Sequence, residues 1–297
     1  MAQRSAKIPA GLTPGLRVGD VLAVSLPDAP AVISQRGDGV VWRRHWSEPD
    51  RLVIEFVDLA VVEVAGSDGI VTFDRPLPDD MEEHLLFDHV LPLVMARSGA
   101  VVLHGGVISR DRSGAVLVGA TGAGKSTLTA FAWQNGWTVG GDDGAVIQAS
   151  DPPTVEPTYA TVRLNPGSAE LLGIDPSLSS PVVGKLRIAG EGKHAFSQEP
   201  VELKLIAIVE PTDAAGEATF TPMDGPDAHA RLFGSTFHAD LSQDRLLPNV
   251  LDDLASIVEN CTVGRIMVPR GRPGLVAAEQ VLRSTLEAIT GNHHGRG

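Results

Sequence analysis

The sequence predicts an α/β protein with a smaller β-rich N-terminal domain over residues 1–97 and an α/β domain over residues 98–297. Three observations lead there. Up to about residue 80 the chain is a series of short Val-rich runs separated by Gly/Asp turns. After Gly99, apolar strand-like runs alternate with helical patterns. Within that second region the run Ala115–Val118 enters a glycine-rich octapeptide that opens directly into a helical segment. The chain has 297 residues, and at about 150 residues per domain two domains fit it.

The N-terminal strands are predicted at Val18–Val24, Ala31–Ser34, Gly39–Trp42, Leu52–Val57, Ala60–Val64 and Gly69–Phe73, with turns such as Arg36-Gly37-Asp38-Gly39 between them. The texture changes at Pro76-Leu77-Pro78-Asp79-Asp80. Asp80 there is a candidate N-cap, and Glu82 and Glu83 suit a helical first turn. Leu85, Leu86, His89, Val90, Leu93 and Val94 recur at helical spacing as far as Ser98-Gly99, with a kink expected at Pro92.

Beyond the boundary, strands are predicted at Ala100–Leu103, Gly106–Ile108, Ala115–Val118, Thr138–Val139, Ala145–Gln148, Leu203–Val209 and Arg265–Val268. Helices are predicted at Ser126–Asn135, Ser168–Leu172, Ala228–Thr236, Val250–Asn260 and Leu275–Ile289. The tail Gly291–Gly295 has no apolar residue and reads as a loose end, although it carries His293 and His294.

Composition narrows the function classes. Lys plus Arg number 24 against 37 Asp plus Glu, a net charge of −13. That speaks against a nucleic-acid-coating surface and leaves room only for a local basic pocket. A single cysteine, Cys261, excludes an intrachain disulfide and a Cys-rich zinc site. The stretch Met1–Gly11 lacks the apolar core of a signal peptide, and no apolar run approaches the roughly 20 residues of a membrane span. The expectation is a cytoplasmic protein with neither a membrane nor a nucleic acid as partner.

Gly119-Ala120-Thr121-Gly122-Ala123-Gly124-Lys125-Ser126 is a full G-x-x-x-x-G-K-[ST] match. Its glycines let successive N–H groups turn into one concavity, and the helix that follows adds its positive end. In that arrangement Lys125 reaches the outer phosphates of a nucleotide, the Ser126 hydroxyl holds Mg²⁺, and Thr127 is a further phosphate contact. A loop alone gives nucleotide binding rather than a reaction.

The second half of a site is expected at Asp142 and Asp143, which lie 17 and 18 residues after Lys125. The gap holds one helix, a Gly136 C-cap and a short strand expected to run beside the loop strand. One carboxylate would bind Mg²⁺ and the other would orient and deprotonate an attacking hydroxyl; the alternative is an Asp-Gly surface turn. Glu210 is a rival acid at the end of Leu205–Val209, read in preference as a buried strand that stops at Glu210-Pro211. His104 precedes Lys125 by 21 residues, and a hairpin over Arg110–Gly114 would return it to the loop.

Taken together, Leu103-His104-Gly105-Gly106, the loop Gly119–Thr127, Gly136 and Asp142-Asp143 resemble the catalytic domain of HPr kinase/phosphorylase and the wider HPr-kinase-like serine kinases, some of which modify precursor peptides. The resemblance covers about residues 99–165. It implies an HPr kinase/phosphoenolpyruvate carboxykinase-like P-loop fold, with Asp143 as general base, His104 and Lys125 on phosphates, and Ser126 and Asp142 on Mg²⁺. Arg163 is a candidate phosphate contact, Arg231 stands near the place of a family catalytic arginine, and Pro269–Gly274 is similar to a basic loop of the family. The chain departs from the family at Ala120 and Thr127, where HPr kinases carry acids, and it has no Glu-Ile-Arg-Gly-like stretch. Neither HPr as acceptor nor the reverse phosphorylase reaction is therefore carried over.

The resemblance implies a Mg-ATP-dependent phosphotransferase acting on a Ser or Thr hydroxyl of a peptide or small protein, with ATP and Mg²⁺ as cofactors and homo-oligomeric assembly expected. A small-molecule kinase on the same fold, or a non-kinase P-loop NTPase acting as a nucleotide switch, uses the same residues. No Asn-Lys-x-Asp guanine motif and no Leu-Ser-Gly-Gly-Gln transporter signature occurs.

Overall fold

The computed structural model describes residues 17–28, 32–35, 38–65, 69–158, 161–175, 179–182, 184–189, 199–214, 216–237 and 247–293. The described residues form a mixed α/β fold with three sheets. The described residues up to Ser98 form one compact unit, and those of Gly99–Phe237 and from Leu247 on form another.

The first unit is a six-stranded sheet built from β1 (Arg17–Val18), β2 (Val32–Gln35), β3 (Val41–Glu48), β4 (Arg51–Phe56), β5 (Ala60–Ala65) and β6 (Ile70–Phe73). The order is β1-β6-β5-β4-β3-β2, antiparallel throughout except that β1 runs parallel to β6. β5 alternates strictly, with Ala60, Val62 and Val64 buried and the residues between them half-buried, as a sheet with one covered face requires. Two expectations shift here. Val18–Val24 contributes only its first residue to a strand, and β3 runs on through Arg43–Glu48, where Arg44 pairs with Glu55 across to β4.

The helical segment after the sheet comprises α1 (Asp79–Leu85), a π turn (Leu86–Val90) and α2 (Leu91–Arg97). Its N-cap is Pro78 rather than Asp80, which lies inside the first turn with Asp79 and Glu82. The irregularity lies at Leu86–Val90 and not at Pro92. That proline occupies the first turn of α2, directly after the π turn.

The second unit opens with β7 (Val101–Leu103), β8 (Gly105–Arg110), β9 (Ser113–Val118), α3 (Lys125–Gln134), β10 (Thr138–Gly141), β11 (Ala145–Gln148) and β12 (Thr154–Glu156). It continues through β13 (Thr161–Leu164), α4 (Pro166–Leu172), β14 (Ser179–Val182), β15 (Lys185–Ala189), β16 (Val201–Thr212) and β17 (Thr219–Pro222). It ends with α5 (Gly225–Phe233), α6 (Leu247–Asn260), β18 (Thr262–Pro269) and α7 (Arg272–His293). The main sheet runs β10-β8-β9-β16-β12-β11-β7, with β18 on β16 and β17 on β18, and a separate small sheet is ordered β13-β15-β14. Gly291, Asn292 and His293 belong to α7 rather than to a loose tail; the expectation for His294 and Gly295 lies outside the described residues.

Both faces of the main sheet are covered, so its central strands are continuously apolar. Ala115 and Leu117 of β9, with Leu205, Ala207 and Val209 of β16, share a core with Leu128 and Phe131 of α3 and Leu282 of α7. Val116, Val118, Ile206 and Ile208, one residue out of phase, share another with Leu232 of α5 and Leu254 of α6. The two-residue strand period sorts one apolar run into two cores.

The topology decides which loops meet. β8 is antiparallel to both β9 and β10, and β16 and β18 are parallel to β9. The C-terminal ends of β9, β10 and β16, and the N-terminal end of β8, therefore lie along one edge of the sheet. Contrary to the sequence expectation, β10 is not adjacent to β9; β8 lies between them.

Candidate active site

The glycine-rich loop joins β9 to α3 at that edge. Gly119, Gly122 and Gly124 have φ of +147°, +82° and +95°, a region that side-chain-bearing residues rarely enter. A Cβ at Gly119 would stand 2.7 Å from the Val209 carbonyl oxygen of β16, so the loop leaves β9 pressed against its neighbour. α3 begins at Lys125 with no side-chain cap, and the first-turn N–H groups have no intrahelical acceptor. The Lys125 side chain is 5% exposed and folds back over the loop, its Nζ donating to the carbonyls of Gly119 at 2.8 Å and Ala120 at 3.2 Å. Burial lowers its pKa, and the charges of Asp143 and Asp142 oppose that.

Asp142 follows β10 directly and is 1% exposed. Its Oδ2 accepts the Arg163 N–H at 3.0 Å, and the nearby Ser126 side chain at the start of α3 acts to lower the pKa of the carboxyl. Its Oδ1 is buried with no hydrogen-bond partner among the described residues. Burial first, then the adjacent Asp143 charge, pushes its pKa up from 3.8 to about 7. Asp143 forms an ion pair with Arg163 of β13.

His104 lies between β7 and β8. The β8–β9 hairpin pairs Gly105 with Val118, which returns His104 to the loop as the sequence suggests. Its Nδ1 donates to the Asp143 carbonyl at 3.1 Å, and its ring meets Phe237 edge-on at 5.6 Å. Burial lowers the His104 pKa; the Asp143 charge opposes this and Lys125 adds to it. The neutral ring is thus favoured, with its proton on Nδ1 and Nε2 left as an acceptor.

Loop, aspartates and histidine therefore meet, and Arg163 joins them. The sequence reading missed Lys185, at the start of β15. Its charge lowers the pKa of His104, Lys125 and Asp142. β15 faces β13, with Arg187 opposite Arg163, so the small sheet brings three cations toward the acids. The signal was present in Lys185-Leu186-Arg187-Ile188, where Leu186 and Ile188 enter the core and the basic residues take the other face.

The printed contacts of the other candidates are made elsewhere. The Thr127 hydroxyl donates to Ser168 of α4 at 3.0 Å. Among the described residues, the ion-pair partner of Arg231 on α5 is Glu210, at 4.0 Å, and Arg265 approaches the same acid at 3.8 Å. Glu210 does not end a strand: β16 continues through Pro211 to Thr212, paired with β18. Arg270 pairs with Asp213 on the surface, and Arg272 donates to the Leu171 carbonyl and lies over the Phe131 ring.

No family model matches this chain, and no curated protein matches it. Among solved structures, the HPr(Ser) kinase/phosphatase from Coxiella burnetii aligns with a TM-score of 0.34 at 15% identity, covering 66% of this chain and 98% of that chain. Among the described residues, no helix is long and apolar enough to cross a membrane.

Proposed function

We propose that this chain is a Mg-ATP-dependent phosphotransferase that moves a terminal phosphoryl group onto a Ser or Thr hydroxyl of a peptide or small protein. The observation that carries the reading is the buried Asp142, whose Oδ1 has no hydrogen-bond partner among the described residues and whose carboxyl is near enough to Ser126, at the start of the loop helix, for that side chain to lower its pKa. A merely structural glycine turn has no need of a buried acid at its helix N-terminus.

Lys125 lies on carbonyls of its own loop and, in this reading, exchanges them for the outer phosphates of the nucleotide, while the first-turn N–H groups of α3 meet the remaining phosphate oxygens. The Ser126 hydroxyl and Asp142 Oδ1 are hard oxygen donors, and a buried carboxylate lacking a partner on one oxygen fits a divalent cation, so Mg²⁺ would be held there. When bound, Mg²⁺ supplies charge neutralisation to the phosphates. Asp143 accepts the acceptor hydroxyl's proton as the hydroxyl oxygen bonds to the γ-phosphorus and the bond to the β-phosphate oxygen breaks. The ion pair with Arg163 fixes the Asp143 carboxylate, which suits a loose transition state in which orienting the hydroxyl matters more than removing its proton. In this reading Arg163 and Lys185 would offset the charge that builds on the transferring group.

The test is calorimetric titration with Mg·ATP alongside transfer of label from γ-labelled ATP to candidate peptides. Wild type binds, and Lys125→Ala loses at least about 100-fold in affinity while its unfolding transition is retained. Equal affinity in the two chains would refute the loop assignment. Binding with no transfer to any hydroxyl-bearing acceptor would leave the nucleotide-switch reading in its place.

A further inference from the structure

In the first unit, the helical segment carries a cluster to which nothing above gives a role. His84 lies in the last turn of α1, and Asp88 and His89 lie in the π turn. One donor atom from each lies within 4.8 Å of the other two. We propose that these three side chains form a binding site for a borderline divalent transition-metal ion, for which Zn²⁺ is the natural probe.

The backbone explains how they meet. At about 100° per residue, a regular α-helix would turn residue i+5 roughly 140° away from residue i. The segment Leu86–Val90 instead bonds from i to i+5, as the Leu91 N–H to the Leu86 carbonyl shows. That extra residue per turn carries His89 back toward the face that His84 and Asp88 share at i,i+4 spacing. A single-turn π bulge is an irregularity that helices keep chiefly at functional positions.

The donor chemistry selects the ion. Two imidazoles and one carboxylate suit zinc and its neighbours, with a fourth position left for water. Mg²⁺ prefers six oxygens and is not suited, which separates this cluster from the all-oxygen pair of Ser126 and Asp142.

The surroundings orient the donors. The His89 ring stands edge-on to Trp42 at 5.0 Å and tilted against Phe56 at 5.6 Å, both on the sheet of the same unit. Asp88 is buried, whereas His84 and His89 are half-buried. His84 Nδ1 and Asp88 Oδ2 are 2.5 Å apart. Two donors about 2.0–2.1 Å from a tetrahedral ion are roughly 3.3 Å apart. Binding therefore requires a small parting of that pair and a His84 Nδ1 that carries no proton.

The experiment uses the full chain, stripped of metal with a chelator and titrated calorimetrically with Zn²⁺ in the presence of millimolar Mg²⁺. The wild type takes up one Zn²⁺ that Mg²⁺ does not displace. His84→Gln and His89→Gln each weaken it at least about 100-fold, more than the 10–100-fold typical of second-shell losses. The double variant His293→Ala/His294→Ala keeps it. Failure of the wild type to bind Zn²⁺, undiminished binding in both cluster variants, or loss of binding in the tail variant would each overturn the proposal. Should the cluster variants unfold, the ring-proton resonances of the nine histidines provide the readout in the unaltered chain. Zn²⁺ must move two sets belonging to one unit, assigned to His84 and His89; movement only of others overturns the site.

Discussion

Replacing Asp142 by Asn leaves shape and volume nearly unchanged and removes one ionisable group from the floor of the site. The group is 1% exposed, and its pKa is pushed up from 3.8 to about 7. In the unfolded chain it titrates near 3.9. Below about pH 4 both states hold the proton and the contribution to stability is intact. As pH rises from 4 to 7, the unfolded state ionises while the folded one does not, so stability falls. It levels off once the pH passes the folded value. At about 1.4 kcal/mol per pH unit, this gap of roughly three pH units amounts to about 4 kcal/mol, with no discount for solvent because the carboxyl is fully buried. Asn does not titrate, and the remaining acids are common to both chains. Urea unfolding at pH 4, 5, 6, 7 and 8 should therefore show the variant gaining on the wild type by about 4 kcal/mol across the series. With Mg·ATP added at pH 7.5 the order should narrow or reverse, because only the wild type offers the carboxylate to the cation. A difference that is flat with pH would show that Asp142 is not a strained, buried acid, and the reasoning about its place beside the loop would fail with it.

Asp143→Asn should retain Mg·ATP affinity within about threefold and lose at least about 100-fold in transfer rate, measured with γ-labelled ATP and an accepted peptide; transfer at the parental rate would remove its role as base. Gly119→Ala, which places a Cβ at positive φ and 2.7 Å from the Val209 carbonyl, should destabilise the chain by about 1–3 kcal/mol in urea and weaken nucleotide binding; a loss under about 0.5 kcal/mol would contradict the close packing of loop and strand. Lys185→Met should raise the titration midpoint of His104, followed by NMR, because a neighbouring positive charge is removed, and should weaken Mg·ATP about tenfold; an unmoved His104 would remove Lys185 from the site.

What could be read from the sequence was what is encoded locally. The loop, its strand and its helix lie within Ser113–Gln134, and positive-φ glycines, apolar strand and helix start all occur in one continuous segment. The approach of His104 was legible because a hairpin is a short-range device. Strand order is not: whether β10 lies beside β9 or beside β8 depends on which edge of the sheet is free, and nothing in Thr138–Gly141 records it. β12 through β15 are three to five residues each, too short to show a period, so the small sheet and Lys185 went unseen. Pro211 was taken for a strand end, yet past Ile208 the described β16 pairs only with β18 and has an open edge, where a missing N–H is tolerated. The π turn was hidden because Pro92 offered a more obvious cause for a break.

The central claim is that the loop and the two aspartates act on the same phosphoryl group. A crystal structure with Mg²⁺ and a non-hydrolysable ATP analogue measures this directly. The account predicts the γ-phosphate on Lys125 Nζ, the cation between the Ser126 hydroxyl and Asp142, and Asp143 facing the open side of the γ-phosphorus. A nucleotide bound with both aspartates turned away from its terminal phosphate, or bound elsewhere on the chain, would contradict it.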